Sequence, residues 1–315
     1  MDFSTANLRR LLQVNAYQFS QKDYLVFGIR GASMALGTNQ SEFTEFTSVK
    51  SIEESEVDYK TCKCLLGIWN PVADKIALFP GSTVPNLLYI KRQAAGVANA
   101  NCMMSGYYNY YENGYHNPSV AHAHEALRLA TNIVLRRSYD DLDFTGTDTI
   151  EVGNPHDNIH AAYIDGPDGA FSSAGCQVIV GQPKCVARGA KGNTVYWKVF
   201  HDIIYEIDQQ RFAYALLRFA DGEAAVAQTG QPMQARLRFG SQGATVLALQ
   251  QALATASVAA NAQQHYFCTN QDGAFGKNTL QAVLAFQTDT FGATNADGVV
   301  GPKTAQSLGI LLPML

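Results

Sequence analysis

The residue types best able to do chemistry together are His160 and Cys176, sixteen positions apart. An imidazole can withdraw the proton of a nearby thiol, and the thiolate so formed attacks a carbonyl carbon. The run Ser173-Ala174-Gly175-Cys176-Gln177 fits a loop that ends at a strand. Gly175 lets the backbone approach a bound acyl group, and main-chain N–H groups around Cys176 suit the oxyanion that would form. Asn158, Tyr163 and Gln177 flank the pair and are the expected substrate-binding side chains. Spacing alone does not separate this reading from a buried structural cysteine and an unrelated histidine.

Other clusters favour blander readings. His122-Ala123-His124-Glu125 and the pair His156 and His160 would, with Cys176, spell a zinc site as the rival chemistry. Pro155 and Asp157-Asn158 point instead to a loop entering a strand, and no HExxH helix occurs. No metal or cofactor is therefore expected, and His122 and His124 are assigned to the surface or to a helix start beside Glu125. Cys62-Lys63-Cys64 has no second cysteine pair at zinc spacing and alternates as a strand. Asp140, Asp141, Asp143 and Asp148 lack the Gly and terminal Glu of a calcium loop and read as a solvated acidic turn. Tyr107, Tyr108, Tyr110 and Tyr111 fit either stacking on sugars or a half-buried strand, and alternation favours the strand. Arg30, Arg136 and Arg137 offer forks for a carboxylate, with nothing to choose among them.

The elements that must position the pair are mostly strands. Apolar or alternating runs at 24–29, 64–69, 75–79 and 176–180 are bounded by Gly, Pro, Asn and Asp. Helical spacing appears at 8–18, near 121–127 and over 196–217. The 315 residues suit two domains, and a net charge of −4 gives too little positive field for nucleic acid. No apolar run reaches the length of a membrane span. Six cysteines are too few for a disulfide scaffold. Arg9 and Arg10 are not followed by an apolar core with a cleavage site, so no general secretion signal is expected. The expected division is a domain over 1–220, a linker over 221–236 and a second domain over 237–315.

The last stretch contains a repeat. Asp272-Gly273-Ala274-Phe275-Gly276-Lys277-Asn278-Thr279 recurs as Asp297-Gly298-Val299-Val300-Gly301-Pro302-Lys303-Thr304. Each copy supplies a tight turn and then a helix start. With Gly240-Ser241-Gln242-Gly243, Val246, Leu249-Gln250 and Leu253, it resembles the three-helix peptidoglycan-binding domain. The resemblance implies a small three-helix bundle that binds cell-wall muropeptide or glycan near Asp272, Phe275, Gly276, Asp297 and Gly301. Turn-shaping is the competing role for the individual residues.

His160, the spacer, and Ser173-Ala174-Gly175-Cys176 resemble the signature of L,D-transpeptidases, cysteine enzymes that remodel peptidoglycan. The longer pattern from GYYNYYENGYHNP to SSAGCQVIVG is similar to a divergent branch often joined to a peptidoglycan-binding domain. The resemblance implies an α+β chain, with a mostly β catalytic domain and flanking helices ahead of the bundle. Cys176 then matches the nucleophile, His160 the base, and Ser173 and Gly175 the motif's own Ser and Gly. Ala174 replaces a histidine and Val178 an Arg or Asn, with Gln177 as a substitute donor. The function so implied is that of a muropeptide-modifying enzyme acting in the periplasm or cell wall, as transpeptidase, D-amino-acid exchanger or carboxypeptidase. The missing signal implies another delivery route, as a phage lysis factor or an antibacterial effector with a small inhibitor or immunity protein as partner. A wall-binding protein whose catalytic domain has decayed is the reading from the non-enzyme class.

Overall fold

The computed structural model describes residues 1–96, 100–116, 119–137, 148–189, 191–259, 266 and 270–315. Asp140, Asp141, Asp143 and Cys268 lie outside them. From the N-terminus, β1 (Asp2–Ser4) leads into α1 (Thr5–Val14), β2 (Leu25–Arg30), β3 (Ala32–Met34), α2 (Gln40–Thr44), β4 (Val49–Glu54), β5 (Cys64–Asn70) and β6 (Lys75–Ser82). After α3 (Leu87–Ala94) come β7 (Cys102–Met103), β8 (Gly106–His116), β9 (His124–Leu129), β10 (Ile133–Arg137), β11 (Thr149–Gly153), β12 (Ile159–Ala161) and β13 (Gln177–Ile179). Then come α4 (Val195–Glu206), β14 (Arg211–Arg218), α5 (Phe219–Ala227), α6 (Ala244–Ala259), α7 (Lys277–Phe291) and α8 (Pro302–Leu308). The chain is mixed α+β, strand-rich first and helical last.

Eight strands close a barrel in the order β12-β13-β6-β5-β2-β14-β8-β9. Two ladders are parallel, β12 with β13 and β14 with β2. The pairing of Ile159 with Leu127 closes the ring. Side chains alternate across each strand. Val26, Leu66, Ile68, Phe79 and Tyr214 therefore pack together on one face. Phe27, Leu65, Leu78, Ala215 and Leu217 pack on the other, against Leu8, Leu11 and Leu12 of α1. Burial on both faces makes these strands read as nearly continuous apolar runs. Helix α1 starts at a Ser4 cap, with Asn7 returning the hydrogen bond.

Two expected helices are not helical throughout. The stretch near 121–127 is mostly β9, and 196–217 divides into α4 and β14. Both contain strands whose core residues are not strictly alternating, a pattern that short helices share. In addition, α5 occupies the first half of the stretch expected to be a linker.

Helices α6, α7 and α8 bury Val246, Leu249 and Leu253, then Leu280, Val283 and Phe286, then Ala305. This apolar cluster is continuous with that of the barrel. The seam is also polar. Arg236 N–H donates to Val14 O, Gln242 N–H to Ala16 O, and Ser241 Oγ to Asn15 O. Gly240, at φ +93°, lies so close to Tyr107 O that an added Cβ would sit 2.3 Å away. Buried Arg238 meets buried Asp221 at 3.2 Å, and Arg218 and Arg236 reach the same carboxylate.

Candidate active site

His160 lies on β12 and Cys176 immediately precedes β13. Ile159 pairs with Gln177 and His160 with Val178, so Cys176 falls level with Asn158. Paired residues share a face, which makes His160 the diagonal neighbour of Cys176. Ring nitrogens of His160 and His116 and Sγ of Cys176 all lie within 4.8 Å of one another.

The loop carrying Cys176 is tightly fixed. Ser173 Oγ donates to Cys176 O at 2.7 Å and accepts from Gly175 N–H at 3.1 Å. Asn101 N–H donates to Ala174 O. A Cβ on Gly175 would fall 2.7 Å from atoms of Asn101 and Asp157, so this close approach requires glycine. Gln177 N–H is consumed by Asn158 O.

Both members of the pair are buried, Cys176 with 8% and His160 with 2% of its surface exposed. Burial, and then the Asp157 carboxylate, push the thiol well above its ordinary value, against backbone hydrogen bonds from Asn158 and Cys176 itself. Burial, followed by His116 and His124, pulls the His160 imidazole well below its ordinary value. The resting pair is thus a neutral thiol beside a neutral imidazole. His160 Nδ1 meets Ala161 O at 2.8 Å, which places its proton on Nδ1 and leaves the Nε2 lone pair free to act as a base. The thiol donates weakly to His156 O at 4.0 Å.

The surroundings are polar on one side and apolar on the other. His116 and His124, opposite each other on β8 and β9, bring their rings to 5.4 Å. His116 stacks on His160 at 3.8 Å and 13°. Tyr163, at φ +62°, sets its hydroxyl 3.1 Å from His124 Nδ1. Tyr111 donates to Asp157 O at 3.0 Å. Cys62, Phe171, Val178 and Val180 pack with Cys176 on the apolar side.

Sequence reasoning assigned His116 no role and placed His124 at the surface or a helix start. His124 is 1% exposed within β9, not on the surface or at a helix start. The recoverable signal was their placement on either side of one hairpin turn. Gln177, fully buried, faces the opposite side of β13 from Cys176. Its amide accepts from Tyr214 and donates to Gly175 O, so it braces the loop rather than reaching a substrate. Asn158 is likewise buried and engaged with Leu129 N–H and His116. The trio His116, His160 and Cys176 has the compactness of a two-histidine, one-cysteine metal site.

In the helical part, the two repeated turns carry the same hydrogen bonds. Gln250 accepts from Gly273 N–H and donates to Asp272, Ala274 O and Thr279. Gln287 accepts from Gly298 N–H and donates to Asp297, Val299 O and Thr304. Asp272 and Asp297 each also accept from the N–H two residues on. Gly276 and Gly301 are the N-caps of α7 and α8, and Phe275 is 1% exposed. Phe275, Gly276 and Lys277 also line a cavity of about 310 Å³ against Tyr107, Asn109 and Asn132 of the barrel part. Asp297 lines a second cavity of about 260 Å³ with Arg30 and Arg136. The pair Gln250 and Gln287 was visible as a polar residue recurring in each apolar stripe.

No helix among the described residues is long and apolar enough to cross a membrane. No curated protein and no solved structure matches the chain. Residues 242–308 match the family model of the peptidoglycan binding domain, which suggests that the C-terminal helices associate with the cell wall.

Proposed function

We propose that the chain is a peptidoglycan-modifying cysteine enzyme, similar to L,D-transpeptidases, that acts on muropeptide stem peptides. The observation that carries this reading is the approach of Cys176 to His160, whose Nδ1 is held by Ala161 O and whose Nε2 is free to accept a proton. His160 Nε2 takes the proton of Sγ, and the sulfur pair attacks the carbonyl carbon ahead of a terminal D-amino acid. The tetrahedral oxyanion collapses, the C–N bond breaks, and His160 returns its proton to the leaving nitrogen. An amine then attacks the thioester to form a cross-link or an exchanged end, or water hydrolyses it. Ser173 and Gly175 shape the turn that presents the sulfur, and Tyr163 borders it. The C-terminal helices hold the enzyme on its substrate, which raises the local concentration of stems. Action in the periplasm or cell wall as a lysis factor or antibacterial effector, countered by a small immunity protein, belongs to the same proposal.

The test is incubation with muropeptides and identification of products by mass. Cys176→Ala is expected to abolish turnover and His160→Ala to lower it by roughly a hundredfold or more. Parent-like activity in both variants would refute the thiol mechanism. The burial of Cys176 and His160 favours a second reading, a wall-binding protein without catalysis. That reading predicts sedimentation with murein and no product from the parent itself.

A further inference from the structure

His116 has no part in the proton transfer just described, yet it stacks on the base and lies in the same tight group as the sulfur. Two hydrogen bonds fix which of its nitrogens holds the proton. Leu129 N–H can only donate, and it donates to Asn158 Oδ1 at 3.0 Å. The amide of Asn158 is thereby oriented, with Nδ2 3.0 Å from His116 Nδ1. An amide nitrogen only donates, so Nδ1 of His116 accepts and its proton sits on Nε2. His160 is the reverse, with its proton on Nδ1 facing Ala161 O. Burial lowers His116 to about 4, so this ring too is neutral at neutral pH. One thiol is thus flanked by two stacked imidazoles of opposite tautomer, one offering a lone pair and the other an N–H.

We propose that His116 is a second catalytic histidine, whose Nε2–H hydrogen-bonds the Cys176 sulfur once His160 has taken its proton, with Asn158 as the positioning residue that sets the tautomer. The inference rests on the thiol reading of Cys176. No bond to His116 forms or breaks. The proton passes from Sγ to His160 Nε2, the electron pair stays on sulfur, and His116 supplies the anion with a side-chain donor beyond the backbone N–H groups of Asn158 and Cys176. Among the described residues, the other side chains near the sulfur do not substitute for it. Asp157 opposes the thiolate, Tyr111 spends its hydroxyl on Asp157 O, Tyr163 is turned to His124, and Cys62 lies on the apolar side. The same tautomer speaks against a metal at the trio, since with Nδ1 accepting from Asn158 and Nε2 carrying the proton the His116 ring has no lone pair left for a metal.

The test is alkylation of Cys176 by iodoacetamide in the full chain, followed by peptide mass spectrometry from about pH 5 to about pH 10, and needs no substrate. His116→Phe keeps an aromatic stack and removes the donor. It should raise the apparent thiol pKa by about one unit and slow labelling at neutral pH about tenfold. Asn158→Asp still accepts from Leu129 N–H but also accepts from His116 Nδ1, which inverts the tautomer. It should cause the same loss and, in addition, let the trio bind cobalt(II) with a thiolate charge-transfer band absent from the parent. Melting curves identify any variant that fails to fold, and the folded one of the two then decides. Parent-like labelling profiles in folded variants, or stoichiometric cobalt binding by the parent that Cys176→Ala removes, would overturn the proposal. If labelling is unchanged while Cys176→Ala loses muropeptide turnover, His116 fails and the thioester survives. If labelling shifts without any muropeptide product, the reverse holds.

Discussion

Around Cys176, burial acts on acids and bases in opposite directions, and stability should record both. Burial pushes the Asp157 carboxyl up to about 7, with Asn101 and Arg137 opposing it less strongly. A carboxyl raised in the fold contributes stability below its unfolded value near 4, and that contribution is lost as pH rises toward 7. His116, lowered to about 4, behaves conversely, its contribution being present above about 6.5 and lost on acidification toward 4. Asp157→Asn should therefore raise stability at about pH 8 by up to about 4 kcal/mol and leave it nearly unchanged at about pH 4, measured by thermal melting across pH. The acid loss carried by the histidines should persist. An equal shift at both ends of the range would mean that Asp157 is not the proton carrier. The pair His160 and Cys176 was legible because its residue types are rare and its spacing is local to one parallel ladder. His116 was not, because its strand reads as a run of tyrosines and its relation to Cys176 exists only through barrel closure.

At the scale of elements, what the chain reveals depends on how regular each face is. Strands β2, β5 and β6 announce themselves because turn residues bound short apolar runs. Strand β9 buries His124, Ala126, Leu127 and Leu129, which breaks strict alternation and includes i, i+3 pairs of the kind a helix also shows. Strand β14 follows α4 after a short break at Ile207–Gln210, too brief to separate the two by periodicity alone. Strand β8 breaks its alternation where the register slips against β14 and Tyr110 takes φ +70°, which leaves Tyr110 exposed between buried Tyr108 and Tyr111. The repeated turns were legible as sequence, and the glutamine of each stripe stood out as polar, but its contacts as a lock were not readable from helix pattern. Gln250 is fully buried and serves one acceptor and three donor contacts, so Gln250→Leu should strand Gly273 N–H and cost about 2–4 kcal/mol. Binding of the full chain to murein should weaken with it, as read by sedimentation. Unaltered melting would show that the turn holds without its lock.

Over the whole molecule, the apolar clusters of the barrel and the C-terminal helices merge and a buried charge network joins them, which predicts that the two unfold together. Burial alone would raise the Asp221 carboxyl, but Arg238 and then Arg218 hold it below the usual carboxylate range. Removing the carboxylate leaves Arg238, 2% exposed, without its counter-charge, and such a loss costs about 3–5 kcal/mol. Asp221→Ala should therefore lower the melting temperature of the full chain in a single transition, with barrel and helix signals moving together. The deficit should shrink on acidification, because a depressed carboxyl stabilises the fold only above its unfolded value, and the parent loses that contribution as pH falls through the folded value. Two separate transitions, with the helical signal alone displaced, would show that the seam does not couple the units. On the proposed function, a wall-binding element fixed in this way would set the direction from which a stem peptide reaches Cys176 as well as its concentration, so Asp221→Ala should reduce turnover of murein sacculi more than turnover of small soluble muropeptides. Equal reduction on both substrates would confine the role of the seam to stability.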